Sequence, residues 1–136
     1  MDFLTAVKTV LTQKYATFTG RARRAEFWWF VLFATICNSI GGAIHPLIGT
    51  VIGLALLCPN LAVGARRLHD LNLSGWWQAA PFGIVTVVGL LDAGIAMLAG
   101  LFIVVAFFMY LAKKGTDGPN RFGEDPLAGE SGQGYV

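Results

Sequence analysis

Residues 93–112, AGIAMLAGLFIVVAFFMYLA, run for twenty positions without a charge and end on Lys113 and Lys114. An α-helix rises 1.5 Å per residue, so this stretch matches about 30 Å of hydrocarbon. Its reading as a membrane span sets the reading of the rest. Three further apolar stretches precede it, roughly Phe27 to Ile44, Leu47 to Ala65 and Trp76 to Leu91. The fold class predicted is all-α, an integral membrane four-helix bundle preceded by a short amphipathic helix. With 136 residues, 55% hydrophobic and 13% charged, the chain is too apolar for an ordinary soluble domain and too short for more than one bundle. A single membrane domain is expected over residues 1–126.

Charge gives the orientation. Every Lys and Arg lies in the N-terminal segment (Lys8, Lys14, Arg21, Arg23, Arg24), in the central loop (Arg66, Arg67) or at the C-terminal end (Lys113, Lys114, Arg121). Short loops rich in Lys and Arg stay in the cytoplasm, so both termini are expected inside, with all ten cations on one side of the membrane. The first span is then expected to serve as its own targeting signal, since residues 1–14 lack the pattern of a cleaved leader.

Residues 2–13 place Phe3, Val7, Val10 and Leu11 at helical spacing beside Lys8 and Lys14, the pattern of a helix lying in the headgroup layer. In the segment that follows, Glu26 is placed to pair with Arg23. Trp28, Trp29, Trp76 and Trp77 sit at span ends, where indole rings favour the interface. Gly41, Gly42, His45 and Pro46 predict the turn between the first two spans, and Gly49 with Gly53 offers a site of close helix approach. Pro59 and Asn60 predict a kink in the second span. Asp92 is expected in an external turn; were the third helix to continue past it, an acid at membrane depth would point to function.

The central loop, ARRLHDLNLSGWW from Ala65 to Trp77, holds the densest chemistry. Arg66 and Asp70, four residues apart, are placed to pair on one helical face. His69 and Asp70 resemble a base with its orienting acid, yet neighbours on a helix point in different directions. No P-loop, HExxH, GxSxG or zinc spacing occurs, and Cys37 and Cys58 have no CxxC partner. No catalytic set, metal or cofactor is therefore expected. The segment Gly115 to Pro126 predicts ordered turns, and residues 127–136 predict a disordered tail.

Three segments, FTGRARRAEFW, ARRLHDLNLSGWW and GTDGPNRFGEDP, resemble in order and spacing the hallmark segments of domain-of-unknown-function family 805, bacterial inner-membrane proteins. The resemblance runs from about Phe3 to Pro126. It implies a small helical inner-membrane protein and brings no activity with it. All three segments fall on the expected cytoplasmic side. Arg21, Arg24, Glu26, Arg66, Arg67, His69, Asp70, Asn120 and Arg121 are thus expected to form a polar cap over the bundle mouth, with Trp28, Trp76 and Trp77 beneath.

Three classes of function fit. The first is a non-enzymatic protein whose basic, aromatic face binds anionic lipid headgroups or a partner protein. The second is a small channel or transporter, alone or as a homo-oligomer, with four short spans leaving little room for a pathway inside one subunit. The third is an enzyme acting on a lipid or an anionic cytoplasmic substrate, using His69 and Asp70 with arginines to bind phosphate. Nucleic acid is not an expected partner, because seven acids share the basic face.

Overall fold

Asp2 starts the first helix by accepting the Thr5 amide at 2.7 Å, satisfying a donor that a helix N-terminus leaves open. Helix α1 (Phe3–Lys8) continues into a π-helical turn, Thr9–Gln13. Ala6 and Val10 are buried, and the Phe3 ring stands edge-on to Trp29 with centroids 5.7 Å apart. The apolar face of this element therefore packs on the next helix. These positions come from a computed structural model, which describes residues 1–127. The expected tail, apart from Leu127, lies outside the described residues.

Helix α2 (Arg24–Ile44) and helix α3 (Pro46–Asp70) form a hairpin joined by one residue. His45 breaks the path with an extended backbone, and its Nδ1 accepts the Leu47 amide while Pro46 occupies the first turn, where its missing N–H costs nothing. A β-carbon on Gly49 would come within 2.9 Å of the Gly42 Cα, so the two backbones nearly touch there. Gly53, the other half of the expected pair, faces the Asn38 side chain instead.

Helix α3 runs past the expected boundary at Ala65 and takes Arg66 to Asp70 into its last turns. Leu71 to Ser74 then reverse the chain, with Asn72 at φ 62°, a conformation Asn tolerates better than most residues. A 3₁₀ turn, Gly75–Gln78, leads into helix α4 (Ala79–Leu91). Asp92 is extended, ends α4 and caps helix α5 (Ala93–Leu111) through the Ile95 amide at 2.9 Å. Among the described residues there is no strand, only an isolated bridge between Asn120 and Gly123.

Three helices, α2, α3 and α5, are long and apolar enough to cross a membrane, and Gly75–Leu91 is a shorter apolar helix. Most of their apolar side chains face outward, among them Leu32, Leu54, Leu101 and Phe102. Water would penalise such a surface, whereas lipid matches it. The packing is that of two hairpins, α2 on α3 and α4 on α5. At one end α5 reaches α2, where Phe108 meets Phe27 and Trp28 with centroids 6.2 Å and 5.7 Å away. Helix α4 buries no side chain and α5 buries only Ala96 and Leu111.

Candidate functional site

The end where the hairpins meet contains a buried polar cluster. Arg21, Arg23, Arg66, Arg67, Glu26 and Asp70 are its charged members, and none is more than 8% exposed. Burying such groups is costly unless every charge finds partners, so the partners explain the site.

Asp70, the last residue of α3, serves two guanidinium groups at once. Arg21 donates from Nε to Oδ1 at 2.9 Å, and Arg67 donates from Nη1 to Oδ2. The carboxylate also packs on Gly115, where any β-carbon would overlap it. Arg66 turns the other way and donates to Glu26 in the first turn of α2 and to the Thr17 carbonyl at 3.0 Å. The expected pairing of Arg66 with Asp70 is thus replaced by Arg67 with Asp70. Successive helical residues point about 100° apart, and the face that carries Arg67 also carries Asp70 three positions on. Glu26, expected to pair with Arg23, pairs with Arg66. Arg23 is extended and precedes the helix, so helical spacing does not govern it. It donates to the Pro126 carbonyl at 3.0 Å.

The cations outnumber the buried acids, and carbonyl oxygens make up the difference. Arg67 lies in the last turn of α3 and donates from Nε to the Leu111 carbonyl at 2.9 Å and from Nη2 to that of Lys113. It thereby sits at the C-terminal ends of two helices, where partial negative charge accumulates. Arg21 binds the carbonyls of Thr116 and Gly118, the latter at 2.7 Å. Arg66 Nη2 is buried without an acceptor among the described residues. Backbone bonds complete the clamp: Ala22 N to Arg66 O at 2.9 Å, and Thr116 N to Asp70 O at 2.7 Å.

His69 and Asp70 face different surroundings. The His69 ring contacts the Gly20 carbonyl through Nδ1 at 2.8 Å and lies parallel to Phe122 with centroids 4.0 Å apart. Asn120 donates to the His69 carbonyl at 2.9 Å, accepts the Phe122 amide and so shapes the turn that presents this ring. Arg121 is exposed, lies over Phe122 and donates to the Asn72 carbonyl at 3.2 Å. Arg24, half-buried, reaches the Ala112 carbonyl at 3.4 Å. Trp28 is half-buried against Phe27. Trp29 lies on the α1 side, and Trp76 and Trp77 are exposed at 84% and 56%, so neither lies beneath the cluster.

Asp125 holds the far end of the C-terminal segment. Its carboxylate accepts the amides of Gly118 and Leu127, each at 2.9 Å. Desolvation pushes its pKa up, but these two amides with Arg21 and Lys114 outweigh it and hold the group below the usual 3.8. Gly118 and Gly123 take positive φ in the same segment. Arg23, Gly115, Phe122 and Asp125 were not among the expected site residues. The repeat of arginines in RARR pointed to Arg23, whereas nothing in the sequence marks Gly115 as the floor under Asp70.

Chemically, the cluster's charged groups are mostly engaged with one another and with carbonyls, Arg66 Nη2 excepted. Both oxygens of Asp70 are taken, and its guanidinium partners donate inward. Among the described residues no group of three or more His, Cys, Asp or Glu is arranged to hold a metal ion, and Cys37 and Cys58 are free thiols.

Comparison with known proteins agrees with a membrane location. Residues 15–45 and 34–124 match the family described as "Protein of unknown function (DUF805)". The chain is similar to Inner membrane protein YhaI of Escherichia coli (strain K12), 35% identical over 130 residues that cover 88% of this chain and 93% of that protein. It is similar also to Inner membrane protein YhaH of the same strain, 33% identical over 84% of this chain and 90% of that one. Uncharacterized protein YiiR of that strain is 29% identical over 80% of this chain and 85% of its own length. No solved structure matches the chain.

Proposed function

The chain belongs to the DUF805 family of proteins of unknown function, with relatives in the bacterial inner membrane, and on that premise we propose a non-enzymatic, multi-pass inner-membrane protein whose basic cytoplasmic face gathers anionic lipid headgroups. Both termini lie in the cytoplasm, and α1 rests in the interface beside α2. The orientation is supported by the charges: eight of the ten basic residues belong to the clustered end or flank it, while His45 and Asp92 mark the opposite turns.

The observation that carries the lipid reading is a division of labour among the cations. Arg21, Arg66 and Arg67 are buried and engaged internally, so they form a scaffold. Lys113, Lys114 and Arg121 are exposed on the same end, and Lys8 is exposed on α1. Each such cation near an anionic surface gains on the order of 1 kcal/mol. The test is native mass spectrometry from mild detergent with added dioleoyl-phosphatidylglycerol, using phosphatidylcholine as control. Wild type is expected to retain the anionic lipid selectively, and a Lys113→Gln, Lys114→Gln, Arg121→Gln variant to lose that selectivity while keeping its melting temperature. Equal retention by both proteins overturns the reading.

A second reading, a small oligomeric channel or transporter, rests on α4, which buries no side chain within one chain. The same spectra decide it: a discrete oligomer insensitive to the triple substitution favours the channel, and a monomer disfavours it. The enzyme reading has less support, since Asp70 is occupied by Arg21 and Arg67.

A further inference from the structure

Beside the cluster, and separate from it, lies an open cavity of about 570 Å³ between the end of α3, the 3₁₀ turn and the start of α4. Its size is in the range that holds a drug-sized ligand or the polar end of a lipid. Phe18, Trp76 and Phe82 line it and are themselves exposed at 44%, 84% and 70%. They stand where the uncharged helix α4 begins. The rim of the cavity is therefore apolar.

Its polar groups are few and neutral in kind. Gln78 is engaged, donating to the Leu61 carbonyl at 3.0 Å. Ser74 Oγ accepts the Trp76 amide at 3.3 Å and keeps its own proton to give. The Gly20 carbonyl can only accept, so Nδ1 of His69 carries a proton and Nε2 is the ring nitrogen left for an occupant. That atom faces the Gly75 wall of the cavity, 3.5 Å from where a β-carbon on Gly75 would stand. Among the described residues no Lys, Arg, Asp or Glu lines the space. A charged headgroup would thus be desolvated there without a counter-ion.

We propose that this cavity binds a neutral glycerolipid with a free hydroxyl, of the diacylglycerol class, whose hydroxyl donates to His69 Nε2 and accepts from Ser74 while its acyl chains lie along Phe82 and α4. This site is independent of the headgroup reading above, because none of the exposed cations lines it.

The test uses the full chain in phosphatidylcholine nanodiscs carrying a small fraction of 1,2-dioleoylglycerol or its 3-O-methyl ether, released for native mass spectrometry. Wild type is expected to retain one dioleoylglycerol and to retain the ether about tenfold less, the effect of one lost hydrogen bond in a partly buried site. Ala79 is exposed and lines the cavity, so Ala79→Trp is expected to fill it and abolish retention at an unchanged melting temperature. His69→Asn keeps a donor for Gly20 and lacks Nε2, and is expected to bind both lipids at the weak level. Equal retention of the ether by wild type, undiminished retention by Ala79→Trp, or displacement by dioleoyl-phosphatidylglycerol would each overturn the proposal. Should His69→Asn fail to fold, the ether and Ala79→Trp still decide it.

Discussion

Asp70 takes charge-assisted hydrogen bonds from Arg21 and Arg67, and its neutral isostere would offer one oxygen and one unwanted donor in their place. Asp70→Asn is accordingly expected to destabilise the protein by about 3–5 kcal/mol, as removal of one member of a buried ion pair does. Thermal unfolding in detergent, followed by circular dichroism, measures it. A loss below about 1 kcal/mol would mean that the two arginines hold the end together through carbonyls alone. At this scale the sequence shows which residues carry charge, and the three polar segments are plain in it. It does not show the partners. Arg66 and Arg67 are neighbours with the same side chain; helical spacing brings Arg67 to Asp70 three positions on, whereas only the packing of α3 against α2 sends Arg66 to Glu26.

Helix α3 contains Pro59, which has no N–H to give the Ala55 carbonyl four residues back. Tyr15 supplies the missing donor: its hydroxyl bonds the Ala55 oxygen from across the molecule. In a low-dielectric setting an unpaired carbonyl is costly, which gives this tyrosine a structural task. Tyr15→Phe is expected to cost about 1 kcal/mol, read as a lower melting temperature. In a Pro59→Ala background, where the helix regains its own donor, the same substitution should be nearly neutral. The proline announces a gap in the sequence, yet nothing there names a tyrosine 44 positions earlier as its remedy. Helix ends are similarly half legible: α2 and α5 lie close to their expected spans, whereas α3 gains a turn because its last residues are bound by other segments. The C-terminal segment has its own prediction. Asp125 has a folded pKa below the usual 3.8, so its contribution is full above about pH 4 and is lost as the pH falls through the folded value. Limited proteolysis across pH 7 to 3 should show cleavage between Lys114 and Leu127 rising in the acid range. Asp125→Asn should be cut readily throughout.

At the scale of the whole molecule, the membrane character and the gathering of charge at one end follow from hydropathy and from the spacing of Lys and Arg, both of which are one-dimensional. How hairpins close on each other is not. Four apolar stretches suggest one bundle, and what the chain builds is two helix pairs that meet through Phe27, Trp28, Phe108 and Leu111. Apolar helices in lipid gain little from hydrophobic contact with one another, so the polar end rather than the apolar length decides where they join. That joint has a consequence in time. Arg21 and Arg67 find acceptors at Leu111, Lys113, Thr116 and Gly118, all of which are synthesised after both arginines. Every nascent chain therefore carries these guanidinium groups incompletely partnered until Leu111 to Gly118 have left the ribosome. A chain stalled or cut short before Gly115 would carry them still, with part of its buried charge left unpaired.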